Sequence, residues 1–164
     1  MRPFRRVSRG ARNESEPWRV RWHSRPPIGA AARVLRALER VPYALLAIPL
    51  RLAVAAIFWR SAMVKLANLD AALALFTDEY RVPLLPPAFA LDCALAIELA
   101  TPVLLVLGLA TRAAAAVLLG MTAVIEIFVY PQAWPTHLQW TAMLLVLLCR
   151  GAGAYSIDAR LRAR

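Results

Sequence analysis

Residues 88–109, AFALDCALAIELATPVLLVLGL, and 113–130, AAAAVLLGMTAVIEIFVY, are two apolar runs between which only Thr111 and Arg112 are clearly polar. Each approaches the ~20 residues that an α-helix needs to cross a bilayer core. Backbone amides in lipid must be paired within their own segment, so runs of this length and spacing form an antiparallel helical hairpin. Apolar runs at 43–67 and 133–149 bring the count to four spans. A chain of 164 residues that is 60% hydrophobic, with a mean hydropathy of +0.54, carries more apolar side chains than one water-soluble domain can bury. The predicted fold is an all-α integral membrane protein, a bundle of four transmembrane helices.

Charge predicts the orientation. The net charge is +10, and eleven arginines precede position 41. The N-terminal stretch, Arg112, Arg150, Arg160, Arg162 and Arg164 all fall on one side of a four-span chain, and the positive-inside rule makes that side the cytoplasm, N-in and C-in. The other side receives the 68–87 and 130–136 loops. Basic residues set apart from the apolar bulk do not make the folded basic surface of a nucleic-acid-binding domain, so the expected partner is the lipid bilayer and not nucleic acid. Residues 1–28, rich in Arg, Pro and Ser without apolar period, read as a disordered basic tail beside anionic headgroups. Arg5-Arg6 lacks the apolar stretch and cleavage site of an export signal. In 29–41, Val34, Leu35, Leu38 and Val41 share a face opposite Arg33, Arg36, Glu39 and Arg40, the pattern of an amphipathic interfacial helix. The transmembrane region is 42–150, and 151–164 is a basic cytoplasmic tail. Cys93 and Cys149 lie 56 positions apart in apolar runs and read as packing residues, not a disulfide.

Of the charges inside the spans, five require explanation: Arg51, Arg60, Asp92, Glu98 and Glu126. Each costs roughly 2.5–3.5 kcal/mol at a helix centre, so each needs a partner or a wet cavity. Arg51 and Asp92 lie near helix ends and are expected to reach headgroups by snorkelling. Pro49 marks either a kink or the start of the first span. Glu98 is central in its helix, with Thr101 and Pro102 one turn on. Thr122, Glu126 and Tyr130 recur every four residues as a polar stripe. These faces are expected to converge with Arg60 and Lys65 of the first helix and Trp134 and His137 of the fourth on one polar pocket open to the outer side. In it Arg60 and Lys65 supply positive charge, and Glu98, Glu126 and His137 are candidate proton carriers. An ion-pair network that only fastens the bundle explains the same residues.

The first helix carries Leu50-Arg51-Leu52, Phe58, Ser61, Lys65 and Leu66. The hairpin carries Glu98, then Leu104-Leu105, Leu107-Gly108-Leu109, Thr111-Arg112 and Ala114-Ala115. With these motifs the chain resembles the DoxX family of small four-helix bacterial membrane proteins over roughly 49–150. Ala62 stands where that family usually has glycine. FWRS at 58–61, DEYRVPLLPP at 78–87 and FVYPQAWPTH at 128–137 are similar to one proteobacterial branch, and they include Arg60, Trp134 and His137. The resemblance implies a bacterial inner-membrane protein with a role beside a redox enzyme, since the family is named for likeness to a subunit of a thiosulfate:quinone oxidoreductase. Branch members also occur beside metal-handling peptide-modifying systems, which implies a stress-response role.

Three functions follow as expectations. The first is an accessory subunit of a quinone-linked redox or stress-response system, with quinone as the candidate cofactor and electrons supplied by a partner enzyme. No CxxC dithiol is present, His23 and His137 are too far apart to hold a haem, and the carboxylates lack the Glu-x-x-His spacing of a di-iron bundle. The alternative is a non-enzymatic membrane anchor or assembly partner. A small transporter ranks third, since four helices would need a homo-oligomer to form a path.

Overall fold

The computed structural model describes residues 29–80 and 82–163. The expected disordered tail, 1–28, lies outside the described residues. Among the described residues, those up to 40 and those from 41 on form separate units. In the first unit, Ala30–Glu39 is helix α1, begun at Gly29 with a strongly amphipathic face, as the spacing of Val34, Leu35 and Leu38 predicts.

The second unit is a bundle. Helices α2 (Tyr43–Ala67), α4 (Pro87–Leu107), α5 (Thr111–Val124) and α6 (Trp134–Arg150) are its long members. Helix α2 packs against α4, α4 against α5, α5 against α6 and α6 back against α2, which closes the ring. Among the described residues, α2, α4 and the 111–129 segment are long and apolar enough to cross a membrane. The fourth member, α6, has 17 residues.

The packing is inverted relative to a water-soluble bundle. The contact faces hold small residues, among them Ala47, Ala55, Ala62, Ala94, Ala114 and Ala115, while Leu45, Leu52, Val64, Val103, Val106 and Leu138 stand exposed. Lipid tails are as apolar as leucine, so helices gain little by burying leucine and more by close approach at small residues. Phe58, Leu105, Leu118, Leu144 and Leu147 fill the remaining centre.

Two differences from the expected layout matter. The 68–87 stretch is mostly helical, not a loop. Asn68 accepts a hydrogen bond from the Ala71 amide at 3.0 Å and starts α3 (Leu69–Leu75), which widens into a π-helical turn at Phe76–Tyr80. Ala72 and Phe76 pack onto Ala90, Leu91 and Ala94 of α4, and this burial makes the segment hold its shape. Pro49 is not the start of the first span, because α2 begins at Tyr43 and runs through it. A second π turn, Ile125–Val129, ends α5, and a 3₁₀ turn at Pro131–Ala133 leads into α6.

The end of the bundle that carries Arg112 is laced shut by the C-terminal segment, which forms helix α7 (Ile157–Arg162). Asp158 accepts from the amides of Ala110 (2.8 Å) and Thr111 (3.0 Å) and so caps α5. Its own amide donates to the Gly108 carbonyl at 2.9 Å. Burial works to raise the Asp158 carboxyl, but the Thr111 and Ala110 amides and the nearby Arg162 charge outweigh it and hold the carboxyl below its ordinary value. Tyr43 Oη donates to the Gly151 carbonyl at 2.7 Å, and the Arg150 guanidinium lies over the Tyr43 ring.

Candidate functional site

At the opposite end, α2, α3, α4, α5 and the start of α6 leave a cavity of about 770 Å³. Its walls are apolar, from Ile57, Val64, Ala94, Ile97 and Met121, and it is open on one side. Few polar groups reach it, and apart from Arg60 and Asn68 they belong to three sets.

The first set joins α2 to α4. Ser61 and Lys65 are four residues apart and therefore share a face of α2, opposite the mid-helix Glu98. Lys65 Nζ donates to both Glu98 oxygens, at 2.7 and 2.8 Å, and to Ser61 Oγ at 2.8 Å. Ser61 Oγ donates to Glu98 Oε1 at 2.9 Å. Glu98 is 1% exposed, so its charge is matched by one ammonium and three hydrogen bonds instead of water. All three Lys65 protons are engaged. Pro102 lies one turn beyond Glu98, and there Thr101 donates to the Ile97 carbonyl at 2.7 Å.

The second set joins α5 to α6. His137 is 5% exposed, and its Nδ1 lies 2.5 Å from Glu126 Oε2. Trp140, one turn on, meets the imidazole edge-on at 5.1 Å. Thr122, the next residue of the expected stripe, is buried and donates to the Leu118 carbonyl at 2.8 Å.

The third set joins the π turn at Phe76–Tyr80 to Tyr130. Tyr130 Oη donates to Tyr80 Oη at 3.2 Å, and the rings of Phe76, Tyr80 and Tyr130 stack edge-to-face in sequence. Burial, followed by the Tyr130 hydrogen bond, pushes the Tyr80 phenol above its ordinary value.

The expected single pocket is divided. Arg60, Lys65, Glu98, Tyr130 and His137 line the large cavity, but Glu126 and Trp134 line a second one of about 430 Å³ on the far side of the α5–α6 wall. His137 lines both. The π turn explains the split: the Tyr130 amide bonds the Ile125 carbonyl five residues back, and the wider turn takes Glu126 and Tyr130 off a common face. Arg60 is exposed at the rim of the large cavity, with no ion pair among the described residues.

Arg51 departs from expectation. Instead of snorkelling it is 5% exposed, donating from Nη2 to the Tyr155 carbonyl at 3.1 Å and packed on Gly108. The docked C-terminal segment covers it, which a pattern of spans does not foresee. Asp92 is exposed. Cys93 and Cys149 are free thiols on different helices. Sequence reasoning missed Tyr80 because its stretch reads as a loop. It also left Ser61 out of the site, although Ser61 and Lys65 at i and i+4 were the available signal.

Comparison with known proteins gives one match: the DoxX family model covers residues 46–131, just over half of the chain. The match stops before α6, so Trp134 and His137 lie beyond it. No curated protein and no solved structure matches the chain.

Proposed function

The chain belongs to the DoxX family of membrane proteins, and from that premise we propose that it is an accessory subunit of a quinone-linked redox or stress-response system of the bacterial inner membrane. All four long helices span the bilayer in this reading. The laced end, with Arg112 and the basic C-terminus, faces the cytoplasm together with the N-terminus, and the large cavity opens toward the outer half. Helix α1 lies in the interface.

The observation that carries the reading is the large cavity itself. At about 770 Å³ it falls within the range of small-molecule sites, and its apolar walls with a few convergent polar groups suit a headgroup with an isoprenoid tail. A quinone bound there would carry electrons and protons between the membrane and a partner enzyme. The chain's own residues divide the remaining work. Ser61, Lys65 and Glu98 satisfy one another and fix α2 against α4. Arg60 at the rim and the outward hydroxyl of the Tyr80–Tyr130 pair are left to donate to carbonyl oxygens. Electrons arrive through the partner, since Cys93 and Cys149 form no dithiol.

The test is to purify the protein in mild detergent, extract it with organic solvent and quantify quinone by chromatography beside an Arg60→Ala variant. Near-stoichiometric quinone, reduced in the variant, supports the reading; no enrichment over bulk lipid refutes it. A second reading, a membrane anchor or assembly partner, draws on the completeness of the Ser61–Lys65–Glu98 cluster, which needs no ligand to be stable.

A further inference from the structure

The Glu126–His137 pair has a geometry that holding two helices together does not require. His137 is buried in the wall between two cavities and lines both of them. Its Nδ1 is engaged by Glu126, which fixes the neutral ring as the Nδ1–H tautomer and leaves Nε2 as a free lone pair. Nε2 has no hydrogen-bond partner among the described residues. Of the two cavities Glu126 lines only the smaller one, where it and His137 are the ionisable lining residues among the described residues. The other charged or titratable groups at the site line the large cavity: Arg60 on α2, the closed Lys65–Glu98 pair between α2 and α4, the Cys93 thiol on α4, and the Tyr80–Tyr130 pair. Thr122 does not compete for Glu126, because its hydroxyl is spent on Leu118.

We infer that His137 and Glu126 form a proton route through the α5–α6 wall, between the large cavity and the small one, that can run in either direction. The inference rests on the proposal that the large cavity holds a quinone-type ligand, whose chemistry requires proton exchange. In the outward direction, a proton reaching the large cavity bonds to His137 Nε2. The Nδ1–H bond then breaks and its proton joins Glu126 Oε2. Glu126 releases it to water in the small cavity, and His137 is left as the Nε2–H tautomer. One proton enters at Nε2 and one leaves from Glu126, and the Nδ1–H tautomer returns when the ring turns and exchanges with water of the large cavity, losing the Nε2 proton and gaining one at Nδ1. Trp140 holds the imidazole against the wall, and the π turn aims Glu126 away from the large cavity.

The test uses the full chain in lipid nanodiscs loaded with decylubiquinone. It compares the wild type with Glu126→Gln, which keeps an acceptor for Nδ1–H but cannot pass the proton on, and with Ala123→Phe, which fills the small cavity. Three quantities are read: bound probe, the His137 tautomer by nitrogen-15 chemical shift, and proton uptake reported by a pH dye after flash photoreduction of the probe. The expected result is unchanged probe binding and tautomer in both variants, with uptake slower by roughly 100-fold in Glu126→Gln, the scale of a lost acid–base group. Ala123→Phe slows uptake in the same direction and serves alone if Glu126→Gln does not fold. Unchanged uptake with the probe bound overturns the route while leaving the quinone reading in place. Loss of the probe in either variant assigns these residues to binding and overturns the route as well. Failure of the wild type to bind the probe overturns both.

Discussion

Replacing Lys65 by methionine keeps its apolar stem and removes its charge. The wild-type ammonium makes two bonds to Glu98 and one to Ser61. Without it, a carboxylate that is 1% exposed keeps only the Ser61 hydroxyl. Removing one partner of a buried pair costs about 3–5 kcal/mol, because the other charge is left without compensation. Protonation of Glu98 can lower that loss, but one carboxyl oxygen then still lacks the partner it had, at about 1–3 kcal/mol. The expected loss for Lys65→Met is therefore about 3 kcal/mol. The double variant Lys65→Met/Glu98→Met removes both charges at similar volume and should return to within about 1.5 kcal/mol of the wild type, as isosteric exchange of buried ion pairs does. The assay is equilibrium unfolding in mixed dodecylmaltoside–SDS micelles followed by circular dichroism, completed as a cycle with Glu98→Met. A single-variant loss below about 1 kcal/mol, or a double variant no better than the single, refutes the claim that the pair is internally compensated.

Other consequences follow from the laced end of the bundle. Asp158→Ala removes the cap of α5 and should cost about 1–2 kcal/mol locally, seen as faster hydrogen exchange at the Ala110 and Thr111 amides. Because the folded carboxyl lies below its ordinary value, this contribution is fully present above the ordinary carboxyl range and disappears as pH falls through the lowered value. The wild type should then approach the exchange rates of the variant, and rates that stay flat down to the acid limit would contradict this. Gly108→Ala places a methyl 2.1 Å from Arg51 Nη1 at a position with φ of +65°, so a loss of about 2 kcal/mol or more is expected in the same micelle titration. Reporter fusions after residue 163 and within 82–86 should report cytoplasmic and external placement respectively, and the reverse would overturn the proposed orientation.

The long helices were legible because bilayer spanning imposes length and hydropathy directly on the sequence. The run predicted at 43–67 is α2 from end to end, the 88–109 run meets α4 within two residues, and the 113–130 run meets the 111–129 segment formed by α5 and its π turn within two residues. Lys65 with Glu98 was legible as a candidate because charge inside a span demands compensation. Three things were not. The register of Glu126 against Tyr130 depends on a π turn, and a four-residue stripe read at ordinary helical period puts both on one face. Helix α3 forms because Ala72 and Phe76 find small residues on α4, a tertiary effect invisible in a short segment. Arg51 is buried because the C-terminal segment folds back over it, a contact across 104 positions of sequence.

The central claim is that the large cavity between α2, α4 and α5 is a quinone-type site, and photo-crosslinking tests it most directly. An azido-quinone bound to the purified protein, irradiated and mapped by mass spectrometry, should label 57–65, 90–98 and 121–130, with labelling abolished by excess decylubiquinone or by Ala94→Trp, which fills the cavity. Labelling spread over the exposed leucines of all four helices, insensitive to competitor and to Ala94→Trp, would contradict the account.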